Sequence, residues 1–130
     1  MNAEVLSQLL NYARETLEAS PKTPFSQAIV LKTVKGNTYS FYMPSFAEQP
    51  EAFGAMEDRI VATLRDREDT AAACLLAMWA DGSVDLPSYS FREKLIALDP
   101  RNREALLPLM SMEAEGAYVV RSIGSCMPEK

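Results

Sequence analysis

The chain contains no histidine and only two cysteines, Cys74 and Cys126. The first absence removes imidazole both as a metal ligand and as the base that would activate a serine. The second rules out a disulfide framework, and Cys74 lies inside an apolar run that reads as core. No window approaches the roughly 18 consecutive apolar residues of a membrane-spanning helix, so a membrane is not an expected partner. Neither sign of charge gathers into a long block, and 13 basic residues stand against 18 acidic ones for a net charge of −5. Such a surface is poorly suited to neutralising phosphates, which excludes nucleic acid as an expected partner while leaving a nucleoside or nucleotide open. The start Met-Asn-Ala-Glu-Val is not basic then apolar. With the sparse cysteine, it predicts a cytoplasmic setting.

What is present reads as one domain over residues 1–130, 48% hydrophobic and long enough to remove about two thirds of its surface from water on folding. Leu6, Leu9, Leu10, Ala13 and Leu17 form one apolar stripe, which predicts a helix over 3–19 that Ser20-Pro21-Lys22-Thr23-Pro24 stops. Phe25 to Leu31 and Thr38 to Met43 are β-rich runs joined through Lys35-Gly36-Asn37, a hairpin pattern. Pro44 to Pro50 is a loop, and a second helix runs from about Glu51 to Asp66. Ala71 to Ala80 is a continuous apolar run closed by Asp81-Gly82, expected as a central strand buried on both faces. In a third helix, Phe91, Leu95 and Leu98 share a side. Ser90 with Glu93 reads as its capping box, Pro87 lies just ahead, and Asp99-Pro100 ends it. Ala105 to Met112 is broken by Pro108 and suits an edge strand or irregular segment. Glu113 to Gly116 reads as a turn and Ala117 to Ile123 as a last strand. The predicted order is α-β-β-α-β-α-β-β, a three-layer α/β/α sandwich on a mixed five-stranded sheet.

One residue breaks the pattern of its helix. At about 100° per residue, with Phe53 at 0°, Ile60 and Leu64 fall within about 20° and Val61 near about 80°, while Glu57 sits near about 40°, inside the apolar arc. A carboxylate there must be hydrogen-bonded, paired or neutral. Apart from a chemical role, it reads as a partly buried carboxylate paired with a basic side chain such as Arg92, or as one at the stripe's wet margin.

The same residues carry a family resemblance. Phe25-x-x-Ala28 before an aliphatic strand is similar to the Phe-x-Val-Gly-Ala-Ala-Leu strand of the cytidine deaminases. Ala55-Met56-Glu57-Asp58-Arg59 resembles their Cys-Ala-Glu-Arg-Thr, and Pro87-Ser88-Tyr89-Ser90-Phe91-Arg92-Glu93 their Pro-Cys-Gly-Ala-Cys-Arg-Gln. The resemblance covers nearly the whole chain, most clearly Phe25 to Leu98, and implies a cytidine deaminase-like fold, a cavity and a tendency to form homo-oligomers. In that family, zinc held by three cysteines or by one histidine and two cysteines activates water, and a glutamate moves the proton. Here Ala55, Ser88 and Phe91 stand at the ligand positions, a methyl, a hydroxyl and a phenyl ring, none of which fits zinc. No metal or other cofactor is therefore expected, and the chain reads as a degenerate member. The family's ribose-gripping Asn-x-Glu is also replaced, by the longer Met43-Pro44-Ser45-Phe46-Ala47-Glu48, so nucleoside specificity does not carry over.

The function expected is that of a non-catalytic deaminase-fold protein that binds a small molecule or a protein partner. One alternative is a metal-free enzyme on a nucleotide-like substrate, in the way that the formyl-transferring domain of purine synthesis uses the wider fold without zinc. Glu57 would then be the acid/base, with helix N-termini at Ala55 and Ser88 offering N–H groups to an anion. Another is a structural or immunity-type interaction protein. Candidate ligand-binding residues are Phe25, Tyr42, Ser45, Phe46, Ser88 and Tyr89, at strand ends and in loops beside helix starts. Ser88 and Ser90 also read as helix caps, because no histidine or lysine adjoins them. Phe91, Met78 and Trp79 read as core.

Overall fold

The computed structural model describes residues 1–20, 23, 25–111 and 117–128; the turn expected at Glu113 to Gly116 lies outside them. Helix α1 (Ala3–Glu18) begins where the Asn2 side chain accepts a hydrogen bond from Val5 N at 2.8 Å, the N-cap device that satisfies one of the first unpaired amides. Strands β1 (Gln27–Thr33) and β2 (Thr38–Met43) form the expected hairpin, with Gly36 at a φ of 93° in its turn. Strand β1 starts two residues later than expected, because Phe25 has a left-handed φ of 65° that no strand accommodates. Helix α2 spans Pro50–Asp66 and strand β3 Ala72–Trp79. After β3 the chain turns at Gly82, φ 91°, and pairs a two-residue strand, β4 (Val84–Asp85), back onto Ala77 and Met78. This sixth strand is too short to leave an alternating pattern. Helix α3 is Tyr89–Leu98, followed by a 3-10 turn at Pro100–Glu104, β5 (Leu106–Met110) and β6 (Tyr118–Ser122).

The sheet order is β2-β1-β3-β5-β6, with β4 also paired to β3, and β3–β5 is its parallel pair. Alternation along β1 and β3 assigns side chains to two layers. Ala28, Val30, Cys74, Leu76 and Met78 pack with Leu9 and Ala13 of α1. Ile29, Leu31, Leu75 and Ala77 pack with Phe53, Ile60 and Leu64 of α2 and with Phe91 and Leu95 of α3. The result is the expected α/β/α sandwich, with α2 and α3 side by side on one face. Contrary to expectation, the strand containing Pro108 lies inside the sheet between β3 and β5's other neighbour β6. Its pairing to β3 is confined to Cys74–Leu106, so Pro108 lies past that rung and its missing N–H breaks nothing there.

Two buried polar clasps fix the helix layer. Asn102 is fully buried; its Oδ1 accepts from Ala72 N at 2.7 Å, and its Nδ2 donates to Leu95 O at 2.7 Å and Thr70 O at 2.9 Å. One side chain thus joins the end of α3 to the start of β3. Beside it, Asp99 accepts from Thr70 Oγ1 at 2.9 Å and pairs with Arg101 at 2.7 Å. The Arg101 guanidinium holds the Asp99 carboxyl down at about 2. Next to Thr70, just past the C-terminal end of α2, Asp69 Oδ2 accepts from Asn37 and Tyr39, each at 2.9 Å. Burial works to raise the Asp69 pKa, but these hydrogen bonds, Asn37's foremost, outweigh it and hold the carboxyl below its ordinary value.

Replacing Asn102 by Ala strands one buried amide and two carbonyls, so urea unfolding should show a loss of about 3 kcal/mol or more. Asp99 gives a separate test. Its folded pKa lies below its unfolded one, so the unfolded chain binds protons first as pH falls; the stabilisation is complete above about pH 4 and is lost toward about pH 2. Unfolding of Asp99→Asn measured across that window should lose this part of the pH dependence, and an unchanged profile would refute the assignment.

Candidate functional site

Glu57 lies where α2 passes the start of α3, and it is only 2% exposed. Its apolar neighbours on α2, Phe53, Ile60 and Leu64, fill the core beside it, so helical periodicity forces the carboxylate inward. Two groups compensate it. Ser88 donates a hydrogen bond from Oγ to Glu57 Oε2, and Lys94 Nζ stands 3.3 Å from Oε1 and 2.9 Å from Asp58 Oδ1. Hydrogen bonding to Asp58, with Glu57 adding to it against partial burial, raises the Lys94 pKa. The ammonium therefore remains charged at neutral pH and balances the buried carboxylate.

Arg92, the expected partner, is engaged elsewhere. Its Nε donates to Pro87 O at 3.1 Å and its Nη1 to Cys126 O, with the guanidinium 5.7 Å from the Tyr89 ring centre. The helix start also differs from the expected capping box. Ser88, with an extended ψ of 151°, is the N-cap, and its Oγ accepts from Phe91 N at 3.0 Å. Glu93 instead accepts from the Tyr89 hydroxyl at 3.0 Å. A second expectation fails at Ala55: α2 begins at Pro50, so Ala55 is in the helix's second turn and offers no free N-terminal amide.

A cleft of about 450 Å³ opens above Glu57. Phe46, Phe53, Trp79 and Leu86 supply apolar walls, and Gln27, Glu57, Ser88, Ser90 and Lys94 the polar groups. Phe46 and Phe53 meet edge to face, 5.5 Å between ring centres. Of the residues singled out from sequence, the structure brings Glu57, Phe46 and Ser88 together here. Phe25 is exposed at 68% beyond the β1 start, and Tyr42 lines a separate open groove with Met56 and Arg59. Ser45 is buried with its Oγ unpartnered among the described residues, and Tyr89 projects outward to Glu93. None of these four lines the cleft. Lys94, Trp79 and Gln27 were missed. Lys94 had a signal, since it lies three residues after Phe91 and one before Leu95 on the inward stripe. Gln27 and Trp79 are cross-strand partners, a relation no local pattern reports.

Similarity to solved structures covers almost the entire molecule. The cytidine deaminase of Mycobacterium tuberculosis superposes with a TM-score of 0.64 at 15% identity, over 95% of this chain and 94% of that one. That of Burkholderia pseudomallei gives 0.65 at 16% identity over 99% and 98%, and that of Mycobacterium leprae 0.63 at 13% over 95% and 98%. The fold is that of the cytidine deaminases. No family model and no curated protein sequence matches the chain.

The zinc that the deaminase fold implies can be tested against these side chains. At the three resembling positions, Ala55 is exposed, Ser88 is committed to Glu57 and to the helix cap, and Phe91 is 1% exposed within the core. Cys74 packs in the α1 layer on the far face of the sheet. Among the described residues no three His, Cys, Asp or Glu side chains converge. This donor set does not fit zinc.

Lys94→Met removes the cation from a buried carboxylate and should destabilise by about 1–2 kcal/mol, discounted because Lys94 is one third exposed. Adding Glu57→Gln to it should restore most of the loss. A double-mutant cycle by urea unfolding reads this directly, and additive effects would show that the pair is not coupled.

Proposed function

We propose that this chain is a zinc-free protein of the deaminase fold that binds a small molecule in the cleft above Glu57. The observation that carries the reading is a buried carboxylate at the floor of an otherwise mostly apolar cleft. Each Glu57 oxygen already has one protein partner, and a carboxylate has lone pairs to spare. The complementary ligand has an aromatic or apolar body and a hydrogen-bond donor at one end. The cleft's volume lies within the range of small-molecule sites, about 300–1,000 Å³. The solved relatives are cytidine deaminases, which makes nucleosides the first compounds to try, although Met43 to Glu48 differs from the family's ribose grip. Self-association, the other family habit, is read by sedimentation velocity.

Elemental analysis of the purified chain should return far less than one zinc per molecule; a stoichiometric zinc would overturn the zinc-free reading. In a thermal-shift screen of nucleosides, nucleotides and folates, a true ligand at 100 times its Kd should add about 2.7 kcal/mol, about 10 °C for a domain of this size. Glu57→Gln should abolish that shift. A panel without any shift would favour a protein that acts through its surface. A second reading, a metal-free enzyme, draws support from what Ser88 touches.

A further inference from the structure

We propose that Ser88 is a nucleophile toward uncharged esters with an apolar acyl group, and that Glu57 is its base. The proposal rests on the cleft reading and goes beyond binding. Four observations converge on it. Ser88 lines the cleft, so its hydroxyl meets whatever the cleft holds. Its proton is directed at Glu57 Oε2, a carboxylate brought from 31 residues away in sequence. Lys94, bridging Glu57 and Asp58, orients that carboxylate from its other oxygen and acts as a positioning residue. Ser88 also caps a ten-residue helix. The first amides after it, those of Tyr89 and Ser90, have no acceptor within the helix and point their dipoles toward the cap, where an oxyanion would form.

The apolar walls set the substrate class. Phe46, Phe53 and Leu86 offer no charge to pair with a charged acyl group, and the Lys94 ammonium is already held by Glu57 and Asp58. In the step, Ser88 Oγ attacks the ester carbonyl carbon while its proton passes to Glu57. The tetrahedral intermediate collapses as the bond to the leaving alkoxide breaks, and Glu57 returns the proton to that oxygen. Water then attacks the acyl-serine by the same route, releasing the carboxylic acid and regenerating the Ser88 hydroxyl.

An alkyl fluorophosphonate tests the nucleophile without a turnover assay. Serine attack forms an O–P bond and expels fluoride, which leaves with the proton taken by Glu57. Intact-mass analysis should show one adduct per chain, and peptide mapping should place it on Ser88. Ser88→Ala should take up none, and Ser7→Ala, exposed on α1 and outside the cleft, should label as the wild type does. Glu57→Gln, checked for folding by circular dichroism, should label at least tenfold more slowly, since a general base typically contributes about 10²–10⁴-fold. No adduct on the folded wild type, an adduct at another residue, or an unchanged rate in Glu57→Gln would each overturn the proposal. The cleft reading is tested apart from it. A compound that shifts the melting temperature of an unlabelled protein leaves binding intact while removing the nucleophile.

Discussion

A carboxylate held inside a helix layer constrains everything packed around it. Glu57 is 2% exposed, and taking such a charge from water unpaired costs several kcal/mol. The α2–α3 layer is arranged so that this cost is offset. The cap of α3 supplies a hydroxyl, the next turn of α3 an ammonium, and the two helices must lie side by side for both to reach. Phe53, Ile60 and Leu64 of α2 and Phe91 and Leu95 of α3 are apolar and buried in the same layer, so the polar contact is embedded in a hydrophobic one. Neither could shift without exposing the other.

The same contact holds α2 against α3 within this deaminase-like fold. Here the link between α2 and α3 consists of the Glu57–Ser88 hydrogen bond, the Lys94 ion pair and the Phe91 ring, which is 1% exposed. Asn102 completes the frame from below by bonding Leu95 O, Thr70 O and Ala72 N. Arg92, bonded to Pro87 O and Cys126 O, fixes the segment ahead of α3 to the end of the chain. Position and orientation of Ser88 therefore follow from three separate anchors, which is what a group needs if its geometry is to be reproducible.

The polar groups of the site are a carboxylate, a hydroxyl and an ammonium. Ser88 directs its hydroxyl at the Glu57 carboxylate, beside a cleft with mostly apolar walls. On the proposed reading, a site of this composition selects by shape and by one hydrogen-bonding end.

Much of this was legible in the sequence because it depends on periodicity. The α1 and α2 stripes, the hairpin around Gly36, the central strand closed by Asp81-Gly82, and the inward angle of Glu57 are local patterns that backbone geometry enforces. The order of elements and three aligned fragments then implied the fold. Where local rules competed, the sequence left the outcome undecided: Ser88 and Ser90 were both acceptable caps, and Pro108 suited an edge until the short reach of the β3–β5 ladder gave it a place inside. Partner choice lay further out of reach. Arg92 and Lys94 are equally basic and close in sequence, yet the turn of α3 carries Lys94 onto Glu57 and sends Arg92 to the Pro87 and Cys126 carbonyls. The sequence alone determined that a carboxylate shares the apolar arc of α2, because 3.6 residues per turn sets Glu57 about 40° from Phe53. Only the tertiary structure decided what would meet it, because hydrogen bonds between residues 31 and 37 positions apart depend on how two helices are set against one sheet.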